Sequence, residues 1–186
     1  MANVAMVVAL VIVGLASHSL GVLAAAGDYL GDAAGVALIL AALRLRHARA
    51  SSYAALANAS LLLIVTAIVI IEALGRLTEG GPHVQGLPVI IVSVIAGAVM
   101  AACALIIGAV ESDDLSMRSI MLDTLADGAS AAGVAVSGAI ILAAKGIYWL
   151  DSAVALAIAV IIAYHAIKLI RHVLAHLRSR VASIES

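Results

Sequence analysis

Six stretches of this chain are each apolar enough and long enough to cross a lipid bilayer, and little sequence lies outside them. A helix needs about 20 residues to span the hydrocarbon core. The stretches run from Asn3 to Ser19, Leu20 to Leu43, Tyr53 to Gly75, Leu87 to Val110, Ser116 to Ala144 and Tyr148 to Ile170. The expected fold class is therefore an all-α membrane protein with six transmembrane helices. Composition agrees, with 65% hydrophobic and 11% charged residues and a mean hydropathy of +1.22. Such a balance lies outside that of a soluble domain. Arg44, Arg46, His47 and Arg49 end the second span, and Thr78-Glu79-Gly80-Gly81-Pro82 reads as a turn. Only His18, Ser19 and Gly21 separate the first two spans, yet 40 apolar residues exceed one tilted crossing, so two helices are expected.

Ala24-Ala25-Ala26 resembles a small-residue cleavage site, but no Lys or Arg precedes the first apolar run, so that helix is expected to stay in the protein. The basic residues Arg44, Arg46 and Arg49, and Lys168 with Arg171, Arg178 and Arg180, place two segments on the cytoplasmic side. With six spans these fall on the same face as the loop Glu111 to Arg118, so both termini are expected in the cytoplasm of a bacterial inner membrane. Residues 1–170 then form one transport domain, and 171–186 a short basic tail too small to fold alone. Cys103 is the single cysteine, which excludes a disulfide within the chain. No basic surface with interleaved aromatics exists, so a nucleic-acid partner is not expected.

Ionisable groups inside a bilayer are costly unless paired or hydrated. Asp28 and Asp32 lie in the second span, and Asp123 and Asp127 in the fifth. Each pair is spaced i, i+4, which puts both carboxylates on one helix face about 6 Å apart. On antiparallel spans, each pair sits roughly 12 to 18 Å from its own helix start, at 1.5 Å per residue. All four can meet near the midplane. Every Lys and Arg sits at or near a span end, and the nearest, Arg118, precedes Asp123 by more than a turn. Four facing acids without a resident base must hold protons or share a cation. Gly27, Gly31 and Gly35 form a ladder in the second span, and Gly128, Ala129, Ala132, Gly133 and Ser137 supply small residues in the fifth. Such faces allow close helix packing, and here they are expected to bring the two acid-bearing helices together.

These residues carry a resemblance to the cation diffusion facilitators, membrane antiporters that exchange divalent transition metals for protons. Ser19 to Asp32 resembles the family's second helix, with Asp28 and Asp32 on its metal motif, and Leu122 to Gly128 resembles the fifth-helix counterpart. Ile71 to Leu77 is similar to the end of the third helix, and Trp149-Leu150-Asp151 to the start of the sixth. The resemblance implies six helices in that family's transmembrane architecture, a metal site of Asp28, Asp32, Asp123 and Asp127, alternating access, and a homodimer in the lipid bilayer. The family's soluble C-terminal domain is not expected in this chain, and the His-rich segment of some members is reduced to His47 between Arg46 and Asn58. Asp123 stands where zinc-selective members carry His.

The expected function is thus efflux of a divalent transition metal, Mn2+, Fe2+ or Zn2+, in exchange for protons, by a secondary transporter and not an enzyme, with no cofactor. An all-carboxylate set is hard and suits manganese and ferrous iron, while zinc sites usually add imidazole or thiolate. One rival is a proton-coupled exporter of organic cations, disfavoured by only 3% aromatic residues and no Phe. Another is a non-transporting membrane subunit whose acids merely fix helix pairing. Outside the site, His18 and His165 read as packed or interfacial residues, and Glu72 with Arg76 as a local i, i+4 ion pair. Asp151 is expected to cap the sixth helix. Glu111, Asp113 and Asp114 form an acidic loop, and His172 with His176 an i, i+4 pair on an interfacial basic helix.

Overall fold

The computed structural model describes residues 2–45, 50–108, 115–144 and 146–182. Six helices order themselves as α1 (Ala2–Ser17), α2 (Leu20–Leu45), α3 (Ala50–Glu79), α4 (Gly86–Gly108), α5 (Leu115–Ala143) and α6 (Trp149–Ala182). Each covers one of the six apolar stretches to within two residues at its shorter end. Among the described residues, Ser52–Glu79, Gly86–Ile106, Thr124–Ala143 and Trp149–Ala175 are long and apolar enough to cross a membrane by length and composition, and Val4–Ser17 is a shorter apolar helix. The length of α2 is ample at 26 residues, but Asp28 and Asp32 interrupt its apolar run. The basic tail is not set apart from the last span at Ile170, since α6 continues unbroken to Ala182. Arg46, His47, Arg49 and the acidic loop of Glu111, Asp113 and Asp114 lie outside the described residues.

The interior is built of small side chains, with Ala24, Ala26, Ala73, Ala96, Ala131, Ala155 and Ala159 all buried. Large apolar residues point outward instead, Leu105 being 75% exposed and Ile71 71%. That inversion suits a lipid surround, where association relies on close packing and not on hiding apolar surface from water. The most extensive contacts join α4 to α5 and α3 to α6, while α2 leans on α3 and α1 and touches α5 over a short stretch.

The small-residue faces pair differently from the sequence expectation. A Cβ at Gly27 would sit 2.9 Å from Val65, one at Gly31 would overlap Leu62, and one at Gly35 would lie 3.0 Å from the Asn58 amide nitrogen. The α2 ladder is therefore the seat of α3, not of α5. On α5, Gly128 faces Met100, and the Gly138 carbonyl lies where a Cβ on Gly86 would come within 2.5 Å. That face seats α4. Small residues announce a close neighbour without naming it.

A Schellman motif makes the thin break between α1 and α2. The Ser19 N–H donates to the Gly14 carbonyl at 3.0 Å and the His18 N–H to Leu15 at 3.4 Å, with His18 left-handed at φ 57°. Ser19 then caps α2, its Oγ accepting the Val22 N–H at 3.1 Å. Asp151, expected to cap its own helix, caps α2 instead. Its carboxylate accepts the Ser19 hydroxyl at 2.6 Å, the Leu20 N–H at 2.6 Å and the Gly21 N–H at 3.3 Å. A Cβ on Gly21 would stand 3.0 Å from that carboxylate, so the close approach needs glycine. Arg76 does more than pair with Glu72 at 3.0 Å. Its Nη1 also donates to the His18 carbonyl at 2.7 Å, and the Gln85 N–H donates to Ser17 at 3.1 Å. One end of the bundle is thus knotted, with the orphan groups of two helix ends satisfied by α3, α6 and the approach to α4.

Candidate metal centre

Asp28 and Asp32 sit one helical turn apart on α2, Asp28 half-buried and Asp32 more exposed. Tyr29, between them, is buried, its hydroxyl donating to the Ala96 carbonyl of α4 at 3.4 Å. Asp127 of α5 is half-buried, and Asp28, Asp32 and Asp127 open onto one cavity of about 230 Å3. Four helices wall it. From α3 come Asn58 and Leu62, from α5 Ala126 and Ser130, and from α6 Ile158, Ile162, His165 and Ala166 among others.

Three of the four aspartates expected to form the site are therefore gathered, and the side chain of the fourth, Asp123, lies outside the described residues. Among the described residues no three His, Cys, Asp or Glu side chains stand close enough to enclose one metal ion. The carboxylates share a cavity without converging on a single point. The contact of α2 with α5 is slight beside those of α4 with α5 and α3 with α6.

Two polar residues of this cavity escape a reading of the sequence alone. His165, which looks like an isolated histidine in the chain, lines the acidic cavity and also a neighbouring groove with Lys168 and His172. Asn58 stands in the sequence only as the boundary of a His-poor segment, although an amide on an otherwise apolar helix is itself a signal. The side chain of His176, the other half of the expected histidine pair, lies outside the described residues. Asp151 is remote in role, its carboxylate committed to the start of α2.

Residues 1–177 match the cation efflux transmembrane domain. Over 148 residues, 73% of this chain, the sequence is 36% identical to the zinc transporter ZitB of Pectobacterium atrosepticum. The alignment covers 46% of that protein, so the chain spans about half the length of the curated relative it matches.

Proposed function

Since the chain belongs to the cation efflux family, and is an integral membrane protein, we propose that it exports a divalent transition-metal cation in exchange for protons, holding the cation among Asp28, Asp32, Asp123 and Asp127. The supporting observation is the common cavity of Asp28, Asp32 and Asp127, contributed by two different helices inside an apolar bundle. Carboxylates bind a cation only when ionised, so loading releases protons and protonation expels the metal. Inward proton flow then drives metal outward as α2 and α5 expose the site alternately to the two sides. A membrane potential contributes about 2.3 kcal/mol per net charge per 100 mV to such an exchange.

The cargo class is Mn2+, Fe2+ or Zn2+. Hard carboxylate oxygens favour manganese and iron relative to a histidine-bearing site, whereas the name of the ZitB relative supports zinc. Export of organic cations fits less well. Ligand pockets for such molecules commonly reach about 300–1,000 Å3 and are rich in aromatics, whereas this cavity is about 230 Å3 and has no Phe, Tyr or Trp among its described lining residues. Cytoplasmic termini and a homodimer belong to the same proposal.

The test is metal-dependent proton release from purified protein in lightly buffered detergent, followed with a pH dye. Asp32→Asn and Asp127→Asn keep size and lose charge, and each is expected to lose the release by at least about tenfold while remaining folded. Wild-type release from either folded variant would remove that aspartate from the site and overturn the site as proposed.

A further inference from the structure

One buried oxygen, on a residue that lines the cavity, is out of keeping with its surroundings. The Asn58 Oδ1 atom is buried and has no hydrogen-bond partner among the described residues. Buried acceptors are nearly always paired, and an exception calls for a specific explanation. The amide lies against α2 at Gly35. Of its atoms, Nδ2 lies nearest to a Cβ built on Gly35, at 3.0 Å, and Oδ1 farthest, at 3.9 Å. Glycine at position 35 thus lets the amide nitrogen pack against α2 while the oxygen turns away from that backbone. The same side chain lines the cavity of Asp28, Asp32 and Asp127.

We propose that Asn58 is a further, neutral oxygen ligand for the transported cation, delivered by α3 into the cavity of Asp28, Asp32 and Asp127. This rests on the metal-site reading above and deepens it. An amide carbonyl is a hard donor of the kind that magnesium, calcium and manganese accept, and those ions gather about six oxygens where zinc is content with four ligands. An uncharged oxygen raises coordination number without adding charge or binding a proton. Asn58 therefore biases the site towards Mn2+ over Zn2+ and leaves the proton count of exchange unchanged. The third helix becomes part of the selectivity machinery, beyond the two that carry the acids.

Affinities for Mn2+ and Zn2+ measured by calorimetry on the full chain test this directly, with Asn58→Leu as a near-isosteric apolar replacement and Asn58→Asp as a variant that keeps the oxygen. Asn58→Leu is expected to weaken Mn2+ at least about tenfold, the lower end of what loss even of an outer-shell partner costs a metal site, and to weaken Zn2+ less than about threefold. Asn58→Asp should retain Mn2+ binding. Co2+ as a spectroscopic substitute should show a more intense visible band in Asn58→Leu, as the ion moves towards four-coordination. An unchanged Mn2+ to Zn2+ ratio and Co2+ spectrum in folded Asn58→Leu would overturn the proposal. Should Asn58→Leu not fold, loss of Mn2+ binding in folded Asn58→Asp would overturn it equally. Asp127→Asn measured alongside separates the two levels. If Asp127→Asn binds all three ions normally the site itself is wrong, while a defect there with none at position 58 removes only the α3 ligand.

Discussion

A carboxylate with no solvent exposure is costly unless its oxygens are engaged, and Asp151 has both of them occupied by Ser19, Leu20 and Gly21 at the start of α2. Its value lies in the groups that would otherwise be stranded. Asp151→Ala leaves a hydroxyl and two backbone N–H groups buried without that acceptor, each costing about 1–3 kcal/mol. Ser19→Ala removes the local cap and one donor, typically about 1 kcal/mol. Thermal unfolding in detergent should therefore rank Asp151→Ala as clearly less stable than Ser19→Ala. Equal melting temperatures would mean that the carboxylate does not anchor α2. The sequence placed Asp151 at the start of its helix correctly, but its partners lie 130 to 132 residues away. Capping residues name a helix end only when that end is their own. Asn58 was hidden for a related reason, because an unpaired oxygen becomes visible only when its neighbours are known.

Helices, by contrast, were plain in the chain, because apolar runs of crossing length leave few alternatives, and α1 to α6 each cover the run expected of them except for at most one or two end residues. Which helix packs on which was not plain. Gly27, Gly31 and Gly35 repeat every fourth residue, and that spacing marks a flat face without a partner. The face turns out to receive Val65, Leu62 and Asn58 of α3. The acid pairs were legible through their i, i+4 spacing and their cost inside lipid, and Asp28, Asp32 and Asp127 do share a cavity. What pattern could not convey is that α3 and α6 complete its walls. At this scale the tightest backbone contact gives a clean test. A Cβ on Gly86 would lie 2.5 Å from the Gly138 carbonyl, which cannot rotate away, whereas one on Gly133 meets nothing within 4 Å. Gly86→Ala should cost about 1–3 kcal/mol through overpacking of α4 on α5. Gly133→Ala should be neutral or gain up to about 1 kcal/mol from helix propensity. Melting curves of the two variants check this, and a tolerated Gly86→Ala would contradict the α4–α5 packing.

Taken as a whole, the molecule combines one knotted end with an acidic cavity flanked by helices of unequal attachment. Arg76, Gln85 and Asp151 bind the α1–α2 junction to its neighbours, whereas α2 and α5 touch only slightly and share the cavity of Asp28, Asp32 and Asp127. Proton-coupled export requires that this cavity open alternately to the two sides. It also requires that cation movement and proton movement be the two halves of one cycle, since we propose that the same carboxylates serve both. The decisive measurement is flux in sealed vesicles holding the purified chain, with a pH dye and a metal-sensitive dye in the lumen, after addition of external Mn2+ or Zn2+. Antiport predicts that metal entry is accompanied by lumenal alkalinisation, and that an imposed pH gradient, acid inside, accelerates entry. Metal entry with no pH change and no response to the gradient would contradict proton exchange, and no entry of any divalent ion would contradict transport itself.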